Sequence, residues 1–207
     1  MLDSPVASMH RRSGSPEWIE DSLLGELDGG LWHATDERGW FGIVADGSIR
    51  ADAVAKYGNG FCRSIGAVSL FDLSRPESAV SPTASHWSDW LRPNAGKCIW
   101  IEVDREASAG KLLDPDATLA RWKLALEEGC QNLRYIAGIE AAHIGALPLT
   151  STLRALEIGP EPDSDTGHRT ILRQWRWRST KARKLSTTTS VHLPTFTISN
   201  SPSATSI

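Results

Sequence analysis

Three groups of residues in this chain are of types that do chemistry. The first is His33-Ala34-Thr35, a polar triplet set between a strand-like run and a helix-like run. Leu31 to Thr35 alternates in the manner of a strand, so His33 and Thr35 stand with Leu31 on one surface, an imidazole beside a hydroxyl. The second is Glu140, followed about eight residues on by the pair Leu147-Pro148. The third is a basic run, Arg169, Arg173, Arg176, Arg178, Lys181, Arg183 and Lys184, with no acidic residue after Asp165 and with Trp175 and Trp177 among the cations. Basic side chains beside stacking aromatics suit a nucleic-acid groove. The alternation of residues 171–177 equally describes an edge strand whose Arg side chains face water.

Other chemistry-bearing types lack the pattern that would make a site. Lys56-Tyr57-Gly58-Asn59-Gly60-Phe61-Cys62 is broken by two glycines and an Asn and reads as a loop. It has no Walker or Rossmann spacing, and a turn stapled by Tyr57 and Phe61 accounts for it better than a phosphate cradle. Cys62, Cys98 and Cys130 are far apart without a Cys-x-x-Cys, which indicates neither a disulfide framework nor a zinc site. Glu102 is a lone acid near the end of a strand, a solvated or edge position.

The elements that must position these residues follow from period and caps. Ser15-Pro16-Glu17 opens a helix with Trp18, Ile19, Leu23 and Leu27 on its buried face, and Asp28-Gly29-Gly30 ends it. The His33 strand comes next. From Asp36 the period becomes helical through Trp40, Ile43 and Val44, capped by Thr35 or Asp36 and stopped by Gly47. Ala67 to Asp72 is a short strand with Ser69 between apolar neighbours, and Lys97 to Val103 is a buried one. Between them, Trp87 and Trp90 with His86 suggest a short surface helix within 75–93. Asp114-Pro115-Asp116 starts a core helix with Leu119, Trp122 and Leu126 on one face and Gly129 at its end. Arg134 to Glu140 and Ala155 to Ile158 read as two further strands.

At 207 residues the chain fits one domain, 15–178, between a flexible leader, 1–14, and a Ser/Thr-rich disordered tail, 179–207. With 40% hydrophobic and 23% charged residues it has a globular composition, and its net charge of −3 argues against a globally basic nucleic-acid binder. No apolar run approaches ~20 residues and the N-terminus lacks an h-region, so a cytoplasmic protein without membrane contact is expected. Nine tryptophans against four Phe and two Tyr fit either a core of rigid plates or a groove of stacking surfaces.

The order helix, His-strand, helix, Ser-strand, apolar strand, helix, Glu-strand runs over roughly residues 30–158. Together with the His33-x-Thr35 opening and the Glu140 to Leu147-Pro148 spacing, it resembles the ADP-ribosyltransferase fold. That superfamily includes the diphtheria-toxin-like and PARP-like enzymes, the RNA 2′-phosphotransferases and the DNA-modifying ADP-ribosylating toxins. The resemblance implies an α+β fold, an ADP-ribosyltransferase-like split β-sheet with flanking helices. It implies NAD as substrate and no metal. Glu140 would be the catalytic carboxylate and His33 would bond the nicotinamide ribose. The backbone of Ala34 would meet the carboxamide, Thr35 would support the site, Ser69 would stand in one wall, and Tyr57 or Phe71 would supply a stacking aromatic. Ala34 replaces the frequent Gly, and Ser69 stands where the PARP-like Tyr would be sought, which argues against polymer formation. The acceptor of a mono-ADP-ribosyltransferase or toxin of this kind would be a protein or a nucleic acid, the latter held through Arg169, Arg173, Trp175, Arg176, Trp177 and Arg178. Rival readings are an RNA 2′-phosphotransferase using Arg38, Arg50 and Arg63, an NAD glycohydrolase, and a non-catalytic module of the same shape that binds a nucleic acid or a partner protein.

Overall fold

A computed structural model describes residues 21–52, 59–74, 97–130, 132–160 and 169–176. The chain opens with helix α1 (Asp21–Leu27), strand β1 (Leu31–Asp36), helix α2 (Glu37–Asp46) and the short strand β2 (Ser48–Ile49). A single turn of helix, α3 (Phe61–Ser64), precedes β3 (Ala67–Asp72). Then come β4 (Cys98–Val103), α4 (Arg105–Ser108), β5 (Leu112–Leu113) and α5 (Pro115–Glu127), and the strands β6 (Glu140–Ile144), β7 (Leu147–Pro148), β8 (Thr152–Pro160) and β9 (Arg169–Arg176). The fold is α+β. Seven strands form an antiparallel sheet in the order β5-β6-β3-β1-β4-β8-β9, and β2 pairs with β7 in a second, two-stranded sheet.

Alternation along the central strands gives the large sheet two apolar faces. One carries Trp32, Phe71, Trp100, Leu156 and Ile158 under Leu23 and Leu27 of α1. Trp100 is its centre, with Phe71 at 5.1 Å and Trp32 at 6.4 Å between ring centroids. The other carries Leu31, Leu70, Ile99, Ile101 and Ala155 under Trp40 and Ile43 of α2. Helices thus cover both sides of one sheet. Trp32 extends back along its own strand entry, its indole N–H donating to the Leu27 carbonyl at 2.9 Å. Gly30 makes this possible, since a Cβ there would lie 2.1 Å from the indole nitrogen. Asp36 caps α2 by accepting from Gly39 N, and Gly47, at φ 66°, closes it in the left-handed conformation.

Some expectations are corrected. Arg134 to Ile139 is a bridge and a turn, and Glu140 begins a strand where it was expected to end one. Gly138 at φ 85° and the Glu140 N to Ile136 O bond (3.0 Å) close that turn. The strand itself is the small-residue run Glu-Ala-Ala-His-Ile, whose two alanines are fully buried. Of the expected glycine-rich loop the described residues are Asn59 to Cys62, and Phe61 and Cys62 belong to α3 instead. Glu102 is neither solvated nor at an edge: β4 lies between β1 and β8, and Glu102 is half-buried against Arg154. Helix α5 is not core either, as Leu119, Trp122 and Leu126 are only half-buried. The expected elements around Trp18, Trp87 and Trp90, the leader and the tail lie outside the described residues. Among the described residues no helix is long and apolar enough to cross a membrane.

Candidate functional site

The candidate residues sit on three adjacent strands, β6, β3 and β1. Glu140 stands opposite Phe71, and Phe71 opposite Trp32. Partners in a rung share a face, so Glu140 and Ser69 lie on the Trp100 side, and His33, one residue past Trp32, leaves its strand on the α2 side. The two residues therefore do not face each other directly across a shared surface. They meet through Ser69.

What allows this is the pairing of β1 with β3, which comprises only Leu31 with Asp72 and Trp32 with Phe71. Both strands continue, but they part beyond this point. Across the opening, His33 Nδ1 lies 3.0 Å from the Ser69 carbonyl oxygen. A carbonyl can only accept, so Nδ1 carries the proton, and in the neutral ring Nε2 keeps a free lone pair. Burial pulls the imidazole below its ordinary value against the opposing Ser69 bond, which favours that neutral form.

On the Trp100 side, the Ser69 hydroxyl donates to Glu140 Oε1 at 2.7 Å. The Cys62 thiol donates to the same oxygen at 3.2 Å, and Ile136 N donates to Oε2 at 2.7 Å. Glu140 is 5% exposed. Burial pushes its carboxyl above the ordinary value, with the donors from Ser69, Ile136 and Cys62 pulling the other way. Burial, and then the charge of Glu140, raise the Cys62 thiol, so it remains a protonated donor.

The remaining expected residues divide. Ala34 is half-buried against the Trp100 cluster beside the opening. Thr35 is half-buried near the end of β1, and its hydroxyl oxygen occupies the space that Gly39 leaves in the first turn of α2. Phe71 is corrected: at 5% exposure its ring packs on Trp100 inside the core, and it offers no free stacking surface. Tyr57 lies outside the described residues.

The described part of the basic segment, residues 169–176, is the edge strand β9. Arg173 and Arg176 are exposed, whereas Arg169 is buried. Trp175 leans on Trp40 of α2 at 5.3 Å, with the Arg173 guanidinium 5.7 Å from its ring centroid. Its ring therefore packs the helix onto the sheet, and the four described members of the expected set, Arg169, Arg173, Trp175 and Arg176, do not present one common face. Trp177 and Arg178 lie outside the described residues. Of the phosphate-holding alternative, Arg50 is clamped bidentately by Asp52 at 2.9 and 3.0 Å, Arg63 acts electrostatically on the same Asp52, and Arg38 is an exposed residue of α2. Among the described residues no cluster of three or more His, Cys, Asp or Glu could hold a metal ion.

Two features carried no signal in the sequence. Cys62 and the Ile136 amide become partners of Glu140 only because α3 and the turn before β6 converge, and a solitary Cys otherwise reads as a small apolar core residue. Asp72, 3% exposed, is gripped by both terminal nitrogens of Arg105 at 2.8 Å and by Ser74. Burial opposes its ionisation, and these donors outweigh burial, holding the carboxyl below its ordinary value. Comparison with known proteins found no matching family model, no similar curated protein and no similar solved structure.

Proposed function

We propose that this chain is an NAD-dependent mono-ADP-ribosyltransferase, which cleaves the bond between nicotinamide and ribose and passes ADP-ribose to a protein or nucleic-acid acceptor, as a toxin of this class would. The observation that carries the proposal is the position of Ser69. Its carbonyl holds His33 and its hydroxyl holds Glu140, which ties the two candidate residues to one point beside the opening between β1 and β3. That opening supports the split-sheet expectation.

In the reaction the C–N bond breaks and its electron pair leaves with nicotinamide, which departs neutral, so no general acid is required. Positive charge develops on the ribose, as in glycoside cleavage. A buried carboxylate with fixed donors is preorganised to stabilise that charge. His33 is assigned the ribose, with Nε2 free to accept from a hydroxyl, and Ala34 the carboxamide through its backbone. An acceptor nucleophile then bonds the anomeric carbon and releases its proton to solvent.

A second reading is a non-catalytic module of the same shape, and one observation favours it: both Glu140 oxygens are already occupied by the chain's own donors, on the sheet face opposite to His33. Nicotinamide release from NAD decides between them. Glu140→Gln keeps size and removes charge, and turnover should fall ~10²-fold or more. His33→Ala should raise KM more than it lowers kcat, because that residue orients the sugar. A parent protein that neither binds nor cleaves NAD would leave the binding module as the reading.

A further inference from the structure

The Glu140 carboxylate is surrounded by parts of the chain that no motif joins. Asn59 to Ser64 and Asn132 to Ile136 are laced together over a long stretch of backbone. Arg134 N donates to the Asn59 carbonyl at 2.9 Å, Phe61 N to the Arg134 carbonyl at 2.8 Å, and the Asn59 side-chain amide to the Asn132 carbonyl at 3.0 Å. Gly60 and Arg134 form a parallel bridge, and the rings of Phe61 and Tyr135 meet edge to face at 6.3 Å. The outcome is that α3 and the turn before β6 are fixed against each other. Each delivers one donor to Glu140: Cys62 Sγ to Oε1 and Ile136 N to Oε2. With the Ser69 hydroxyl these donors fix both oxygens and hence the plane of the carboxylate.

We infer that this laced pair of segments is the positioning device of the active carboxylate, and that Cys62 is a positioning residue that aims Glu140 through its thiol. The inference rests on the reading of Glu140 as the group that stabilises the ribosyl cation. Cys62 touches no substrate in this scheme. Cys62 is 1% exposed and clusters with Ala67 and Ala142, where a hydrogen bond to a carboxylate is not contested by water. Donation to the ionised form favours that form, so losing the thiol should make Glu140 harder to ionise and looser in orientation.

The test compares Cys62→Ala, which removes the donor, with Cys62→Ser, which keeps one. Carbon-13 NMR of the Glu140 side-chain carboxyl, titrated in the full chain, reads the clamp independently of catalysis. Cys62→Ala should raise the Glu140 titration midpoint by about one pH unit, the tenfold change that one hydrogen bond of ordinary strength makes. Cys62→Ser should restore most of it. In NAD turnover, the acid limb of the kcat profile should move up with the NMR midpoint for Cys62→Ala, with KM unchanged, and return for Cys62→Ser. An unchanged NMR midpoint in Cys62→Ala, in a variant whose melting temperature shows it folded, would overturn the clamp. A shifted midpoint in Cys62→Ala, with a parent protein that does not turn over NAD, would leave the clamp standing as a structural device, and would overturn both its catalytic role and the transferase reading.

Discussion

Helix α2 contains two glycines that should respond to alanine with opposite signs. At Gly42 an added Cβ meets nothing within 4 Å, and the position is exposed in mid-helix. Alanine there removes the excess backbone freedom of glycine and should stabilise by about 1 kcal/mol. At Gly39 the same Cβ would sit 2.1 Å from the Thr35 hydroxyl oxygen and 3.2 Å from the Asp36 carboxylate that caps the helix. Thr35 is β-branched and stiff at χ1, so it cannot move aside without leaving a preferred rotamer or shifting the end of β1. Relief of such a clash costs about 1–3 kcal/mol, to which weakening of the Asp36 cap adds up to about 1 kcal/mol, and together these exceed the helix-propensity gain. The net expectation for Gly39→Ala is a loss of about 1–2 kcal/mol, with Gly42→Ala moving the other way. For a chain of this size the pair should be separated by roughly 5–10 °C in melting temperature, read by calorimetry or by circular dichroism at 222 nm. Equal stabilisation by both substitutions would show that Thr35 yields freely, and that the strand end carrying His33 and Thr35 is not held by α2.

Other expectations concern charge. Glu102→Gln should leave NAD turnover intact yet lower the melting temperature, because Glu102 is half-buried against Arg154, which also reaches Glu26 and covers the Trp32 ring; loss of turnover with this variant instead of Glu140→Gln would move the active carboxylate to β4. His33 and His143 are both held below the ordinary histidine value by burial, so at these two positions the unfolded chain binds more protons than the folded one on the acid side. Their contribution is fully present above about pH 6.5 and is lost as pH falls, with a slope of up to about 1.4 kcal/mol per pH unit for each proton; because burial raises the Glu140 carboxyl and so pulls the other way, urea denaturation between pH 7.5 and 5.5 is read in Glu140→Gln, which should show that decline, and a flat profile there would refute it. Arg173→Ala with Arg176→Ala, the two exposed arginines of β9, should weaken any single-strand nucleic-acid binding and flatten its salt dependence, and a parent protein without such binding would remove a nucleic-acid acceptor from the proposal.

What the sequence made legible was local. The run from Leu31 to Gly47 declares a strand, a cap, an amphipathic helix and a stop within one stretch, and each is present at its expected place. The strand of Ser69 and the strand of Trp100 were legible for the same reason, a short apolar run bounded by turns. Arg134 to Glu140 misled because Tyr135, Ile136 and Ile139 have strand composition, while the chain's direction there is set by Gly138 and by hydrogen bonds to residues some seventy positions away. Glu102 misled because a strand's rank in the sheet is a property of topology, and only the placement of β8 beyond β4 makes it an interior position. The burial of Phe71 likewise depends on Trp100, a residue on a strand with which β3 does not pair.

The lacing around Glu140 also bears on when the site comes into being. Its donors Ser69 and Cys62 lie 71 and 78 positions upstream, so closing the loop between them costs chain entropy before any bond is gained. A carboxylate buried ahead of those donors would keep only its local Ile136 donor and leave Oε1 unsatisfied, and the donors buried ahead of it would be orphaned. Docking of β6 on β3 and seating of α3 are thus coupled steps, and the carboxylate acquires its orientation only when both are complete. In the native ensemble the same coupling makes α3, the turn at Ile136 and the first residue of β6 one opening unit, whose amides should exchange with solvent together.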